Sequence, residues 1–242
     1  MKRRGFAVKR LTVAAILLAV LGCATLGGGD NVKQASAHYQ IGVSYLNDNN
    51  IQPAFIEFQK AMKLDPRNKE VLNAIGLIYL VKLEDYPQAI AYFQKALDID
   101  ENFSEASNNL GLAYEKMGRF YDAIECYKTA VSNRLYRNAQ KAFTNLGWAY
   151  YRVKRFQDAI DSYKDAIRRF SDFYQPYYGL SLAYNAIGHY SDAATALERA
   201  LELDPEYKGD REKARKSLED RKLAAKGDEQ RDMEDLLEIM NY

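Results

Sequence analysis

The sequence predicts an all-α fold, a superhelix (α-solenoid) of about five helix-turn-helix repeats plus a C-terminal capping helix. Three observations predict it. The first is a recurring hexapeptide: "IGVSYL" (41–46), "IGLIYL" (75–80), "LGLAYE" (110–115) and "LGWAYY" (146–151), 34, 35 and 36 residues apart, with "GLSLAY" (179–184) following. The second is a downstream template at a near-constant offset. Ala54, Ala89, Ala123, Ala159 and Ala193 are followed by Phe58, Phe93, Tyr127, Tyr163 and Leu197, and then by Ala61, Ala96, Ala130, Ala166 and Ala200. The third is apolar spacing of i, i+3, i+4 and i+7 within each half-unit, the signature of two amphipathic helices per repeat.

The amino end carries a different signal. Residues 1–10, "MKRRGFAVKR", are basic, and residues 11–21, "LTVAAILLAVL", are apolar. A helix over the apolar run rises roughly 17 Å, short of a ~30 Å hydrocarbon core, so the segment reads as a secretory signal rather than a spanning anchor. "Val20-Leu21-Gly22-Cys23" resembles the lipobox of bacterial lipoproteins. That resemblance implies diacylglycerol on the Cys23 thiol, cleavage before Cys23, acylation of the new amino terminus (lipoprotein, palmitate) and a membrane partner held through the lipid. Ala24 in place of an aspartate implies sorting to the outer membrane, facing the periplasm. Residues 1–22 are then the signal peptide, and 23–34 the lipidated cysteine and a flexible tether. The chain has 34 basic side chains; less the five in residues 1–22, 29 remain against 33 acidic ones. A net −4 is no footprint of nucleic-acid binding.

The repeats occupy residues 35–207, in units 35–68, 69–103, 104–139, 140–173 and 174–207. They resemble the tetratricopeptide repeat (TPR), best in the first unit, where Gly42, Tyr45, Ala54, Phe58, Ala61 and Pro66 match that family's pattern. Gly42, Gly76, Gly111 and Gly147 each forgo ~1 kcal/mol of helix propensity, which fits positions where a partner helix approaches closely. Ser181 stands at this position in the fifth unit. "LDPRN" (64–68) and "LDPEY" (203–207) end helices, because proline cannot continue the hydrogen-bond ladder but fits a first turn. The link "SNRLYRNA" (132–139) carries two extra residues. Residues 208–242 supply a charged capping helix and an amphipathic tail, in which Met233, Leu236, Leu237 and Met240 form an apolar stripe. The tail either packs over the last repeat or occupies a groove, its own or a partner's.

Chemistry of an enzymatic kind is not indicated. The two histidines, His38 and His189, fall in the first and fifth units, no metal-ligand cluster follows, and Cys126 sits in an apolar helical pattern that predicts an inert thiol. No cofactor or small-molecule substrate is expected. What remains is surface: stacked repeats leave a groove, which in TPR arrays is lined by the fifth, ninth and twelfth template positions. The fifth are Tyr39, Asn73, Asn108, Thr144 and Tyr178, and the ninth are Val43, Leu77, Leu112, Trp148 and Leu182. Tyr151 follows Trp148 by one turn. Clamps for a peptide carboxylate in this family use lysine and asparagine at the fifth and ninth positions, so an apolar or amphipathic ligand is expected instead. Asn73 and Asn108 could hydrogen-bond its backbone, and Trp148 with Tyr151 would form an exposed aromatic hot spot.

The lipobox, tether and repeats together, with "YRNAQKAFTNLGWAYYRVKRFQDAIDSYKDAIRR", resemble the type IV pilus biogenesis lipoproteins of the PilF, PilW and Tgl kind, the secretin pilotins. That resemblance implies an outer-membrane adaptor that binds the secretin subunit and promotes its localisation or multimerisation. Five units are found where that family usually has six. The alternative is a general envelope TPR adaptor that scaffolds or regulates cell-wall enzymes.

Overall fold

The computed structural model describes residues 29–242; Cys23, the signal segment and residues 24–28 lie outside them. Twelve helices and no strand occur among the described residues, divided between two compact units that meet in sequence after Glu84.

In the first unit, α1 spans residues 29–47, α2 Ile51–Leu64 and α3 Lys69–Val81. Helix α1 takes in residues 29–34, the last six of the expected tether. Residues 29–34 are helical and exposed, with no proline to interrupt them and with Asp30 beside the positive end of the helix dipole. Gly42 explains how α1 and α2 close. A Cβ there would stand 2.6 Å from Cε1 of Phe58, a ring with no exposure at all. Asn68 then starts α3 by accepting the Val71 amide at 3.0 Å.

The second unit contains α4 (Tyr86–Ile99), α5 (Ser104–Lys116), α6 (Phe120–Ser132), α7 (Ala139–Arg152), α8 (Phe156–Arg169), α9 (Gln175–Ala186), α10 (Tyr190–Leu203), α11 (Arg211–Ala224) and α12 (Asp228–Ile239). From α4 to α10 each helix packs on the next, and α5 meets α7 as α7 meets α9. The even-numbered helices between them make no comparable contact with each other, so the row α5, α7, α9 lies on the inner side of a curve. Its core is the template itself. Ala123, Tyr127, Ala130, Ala159, Tyr163, Ala166, Ala193, Leu197 and Ala200 are all buried.

The turns use two devices. Helix A of each unit ends in a left-handed residue: Asn49, Glu84, Gly118, Lys154 and Gly188. At Gly118 the motif is complete, with the Arg119 amide donating to Tyr114 O (2.9 Å) and the Gly118 amide to Glu115 O (2.8 Å). Between units, an aspartate or asparagine carboxyl-type oxygen accepts the amide two residues on. Asp65, Asp100, Asn133 and Asp204 all do so, at 2.9–3.2 Å. This side-chain turn is why the Asp100 and Asn133 links need no proline. The longer link at 132–139 is pinned by Tyr136, buried against Ala130, Ala139 and Ala142.

Candidate protein-binding site

Helices α7 and α9 place the expected groove residues side by side. On α7, Thr144 and Trp148 recur one turn apart; on α9, Tyr178 and Leu182 do the same, and all four line one cavity of about 420 Å³. Trp148 stacks on Tyr151 with ring centroids 5.8 Å apart and an interplanar angle of 23°. The Arg152 guanidinium lies 4.0 Å from the centre of the Trp148 ring, on the face where the negative π cloud attracts a cation. Tyr178 donates its hydroxyl to Asp204 Oδ2 at 3.0 Å, which orients the ring along the cavity wall.

This part of the groove is occupied. Helix α12 packs against α9, α10 and α11, and buries Met233, Leu236, Ile239 and Met240 in one cluster with Leu182, Leu197, Leu201 and Leu218. Asp232, one residue before this stripe, forms a bidentate pair with Arg152. Nη1 to Oδ1 is 3.2 Å, and Nη2 bonds Oδ2. Both side chains are largely withdrawn from water, 12% and 5% exposed. Burial pushes the Asp232 carboxyl above its ordinary value, and the Arg152 and Tyr151 side chains pull it back without cancelling the rise. The pair therefore holds a desolvated charge in place. At the far end Arg211 donates to Met240 O (2.8 Å) and Arg215 to Asn241 (3.0 Å), fixing α12 to α11.

Trp148 and Tyr151 are thus a half-buried pair covered by the protein's own tail, not an exposed hot spot. The reason is the match between the aromatic face and the Met233–Met240 stripe. Asn108 is likewise taken up. It is 7% exposed, and its Oδ1 accepts from Asn145 Nδ2 at 3.0 Å, so that oxygen serves the α5–α7 contact. Leu112 is half-buried against the Ile124, Tyr127 and Leu146 cluster. Tyr39, Val43, Asn73 and Leu77 belong to the first unit, where all four are half-buried and Tyr39 packs on Phe58 with centroids 5.8 Å apart.

Sequence reasoning missed Arg152, Asp232 and Tyr163. Arg152 follows Trp148 by four residues, a spacing that stacks cation on ring, and this could have been read. Tyr163 lines the same cavity, is 1% exposed, and its hydroxyl has no protein hydrogen-bond partner. Gly179 makes room for it, since a Cβ there would fall 2.5 Å from that hydroxyl.

The two histidines each face a carboxylate. His38 pairs with Glu57 at 2.6 Å, and His189 faces Asp192 at 3.4 Å. Burial pushes the half-buried Cys126 thiol up to about 11, so it is protonated and unreactive at neutral pH. Among the described residues no group of three or more His, Cys, Asp or Glu is placed to hold a metal ion, and no helix is long and apolar enough to cross a membrane.

Tetratricopeptide-repeat family models match residues 35–68, 80–118, 102–172 and 174–207. No curated protein matches the sequence. Among solved structures, PilF of Pseudomonas aeruginosa is 20% identical, covers 81% of this chain and 93% of its own, and superposes with a TM-score of 0.66. PilW, described as a widely conserved type IV pilus biogenesis factor, is 18% identical over 81% of this chain and 96% of its own, with a TM-score of 0.65. YrrB, a TPR protein with an unusual peptide-binding site, is 20% identical over 81% and 97%, with a TM-score of 0.58. At these identities the likeness is one of fold. With paired helices, small residues at their crossings and family matches over residues 35–68, 80–172 and 174–207, together more than half of the chain, the chain belongs to the tetratricopeptide-repeat family.

Proposed function

We propose that this chain is a lipid-anchored adaptor of type IV pilus assembly, held at the outer membrane through Cys23 and binding the secretin subunit through its groove. The observation that carries the reading is the combination, in one chain, of the Val20–Cys23 lipobox with a helix array whose fold is that of PilF and PilW. Protein binding is the natural work of such a surface, because the α7–α9 wall offers an aromatic face, a paired cation and an apolar floor. These suit an amphipathic helix rather than a reacting small molecule. More than one acyl chain, each adding ~0.8 kcal/mol per buried CH₂, makes anchoring stable, and anchoring raises the groove's effective concentration for a membrane-bound partner.

The test is capture of the pilus secretin from detergent-solubilised envelopes. The intact protein should retain it, and Trp148→Ala should retain less with unchanged helical content. Equal retention refutes the groove assignment, and retention of cell-wall hydrolases in place of secretin favours a general envelope adaptor. Cys23→Ser should remove the protein from the outer-membrane fraction. A variant that stays there refutes the anchor.

A further inference from the structure

Helix α12 sits in the groove as a ligand would. It enters with an acid, Asp232, against the cation that stacks on Trp148, and continues with apolar residues at +1, +4 and +7: Met233, Leu236 and Ile239. We propose that α12 is a displaceable internal occupant, and that the partner is an amphipathic helix of the same register, acid-Φ-x-x-Φ-x-x-Φ, with a larger, aromatic side chain at the position of Met233. This rests on the groove being a protein-binding site, and does not depend on the partner being a secretin.

Several features separate an occupant from a permanent seal. A helix built only to close the array would fill the space around it, yet a cleft of about 420 Å³ stays open among Trp148, Tyr178, Leu182, Leu218, Met233 and Leu236. The connection from α11 to α12 is three residues, Ala225–Gly227, ending in Gly227 at φ 60° and ψ −126°, a conformation that a side chain would resist. Asp232 also shares its helix with Glu234, Asp235 and Glu238, and Arg231 is paired to Asp228 one turn before it. Like charges along one helix repel and loosen its seat, whereas a partner with a single acid would keep the Arg152 pair without that repulsion.

The experiment uses the detergent-solubilised full chain and, as probe, a fluorescein-labelled peptide of residues 226–242 of this sequence, read by anisotropy. The wild-type chain should bind it weakly, because its own α12 competes. A chain carrying Met233→Asp and Leu236→Asp, whose tail no longer fits, should bind at least 30-fold more tightly. Reversing the peptide's acid, Asp232→Arg, should weaken binding to that chain at least tenfold, and adding Arg152→Glu to the chain should restore it. A Met233→Phe peptide should bind at least threefold more tightly than the natural one. Equal affinity for both chains, indifference to the charge reversal, or weaker binding of the phenylalanine peptide overturns the proposal. So does a concentration-dependent wild-type dimer that the double aspartate substitution abolishes, which would make a second copy the occupant. Should the double variant misfold, hydrogen exchange on the wild-type chain decides. Saturating peptide must strip protection from α12 and leave α5–α10 protected, and retained α12 protection overturns the proposal. Peptide exchange without secretin capture would remove the pilus reading alone, and secretin capture with a fixed α12 would remove this inference alone.

Discussion

Replacing Arg152 by methionine tests how α12 is held, because it keeps the aliphatic stem and removes the charge. The ion pair is nearly dry, with Asp232 4% exposed, and breaking such a pair by deleting one partner costs about 3–5 kcal/mol, since the other charge stays buried without compensation. The residual exposure of Arg152 argues for the lower end, about 3 kcal/mol, equivalent to roughly a hundredfold loss of protection in α12. The cost must depend on pH. The Asp232 carboxyl already titrates above 3.8, and losing Arg152 raises it further. A carboxyl whose folded value is raised contributes stability that is complete below its unfolded value and is lost as pH rises through the folded one. Thus the difference between Arg152→Met and wild type grows from acid toward neutral pH. Neighbouring Asp235, also raised by burial and by Asp232, adds to the slope in both chains. Hydrogen exchange of the α12 amides, expressed as protection factors at pH 4.5 and pH 8, measures it. Equal losses at both pH values would refute the electrostatic account and assign the effect to lost packing on Trp148. Asp232→Leu added to Arg152→Met should recover most of the protection, since an apolar pair replaces the charged one without an orphan.

Other expectations are simpler. Gly147→Ala puts a Cβ 2.7 Å from Tyr163 Cδ1, a ring also wedged against Gly179, so overpacking of about 1–3 kcal/mol should outweigh the ~1 kcal/mol propensity gain and lower the urea midpoint. Lys154→Gly relieves a left-handed residue at φ 60° and should raise stability by about 1 kcal/mol; no gain would mean the lysine cap carries no strain. The Glu115 carboxyl is raised, chiefly by burial and despite the Tyr127 hydroxyl donating to it at 2.9 Å. Its contribution is therefore full below 4.5 and declines as pH climbs through the raised value, and Glu115→Gln should flatten that part of the stability-pH curve.

The repeats were legible because each template position answers to a local physical need. Alanine at a crossing, an aromatic ring under a glycine and a 3.6-residue stripe are readable without knowing what lies opposite, and the alanine and aromatic template positions are no more than 2% exposed. The turns were half legible. Pro66 and Pro205 marked two links, whereas Asp100 and Asn133 end their helices through a side-chain hydrogen bond that no breaker residue announces. Residues 29–34 read as tether by composition, yet nothing in "GDNVKQ" stops a helix, and they are helical. The tail was legible as a stripe and illegible as a contact. Hydrophobic spacing says that Met233 and Leu236 share a face, but the surface they cover is settled by Arg152, 80 residues away in sequence.

The ninth template positions show where the groove is covered. Val43, Leu77, Leu112 and Trp148 are each half-buried, as expected of side chains on a wall, but Leu182 is 3% exposed. The same residue type at the same position differs only in what lies over it, and over Leu182 lies the Met233–Leu236 turn of α12. Were α12 released, Leu182 would take up the half-exposed state of Leu112. That restores a contiguous apolar strip along α7 and α9 whose exposure to water is itself unfavourable, at about 25 cal/mol per Å². An internal helix keeps that strip from non-specific association until a better-matched helix replaces it, and the replacement's apparent affinity is reduced by the whole of α12's docking free energy. Selectivity in this groove therefore follows from competition. A ligand that makes the apolar contacts without the acid opposite Arg152 leaves a buried cation unpaired and loses to the tail.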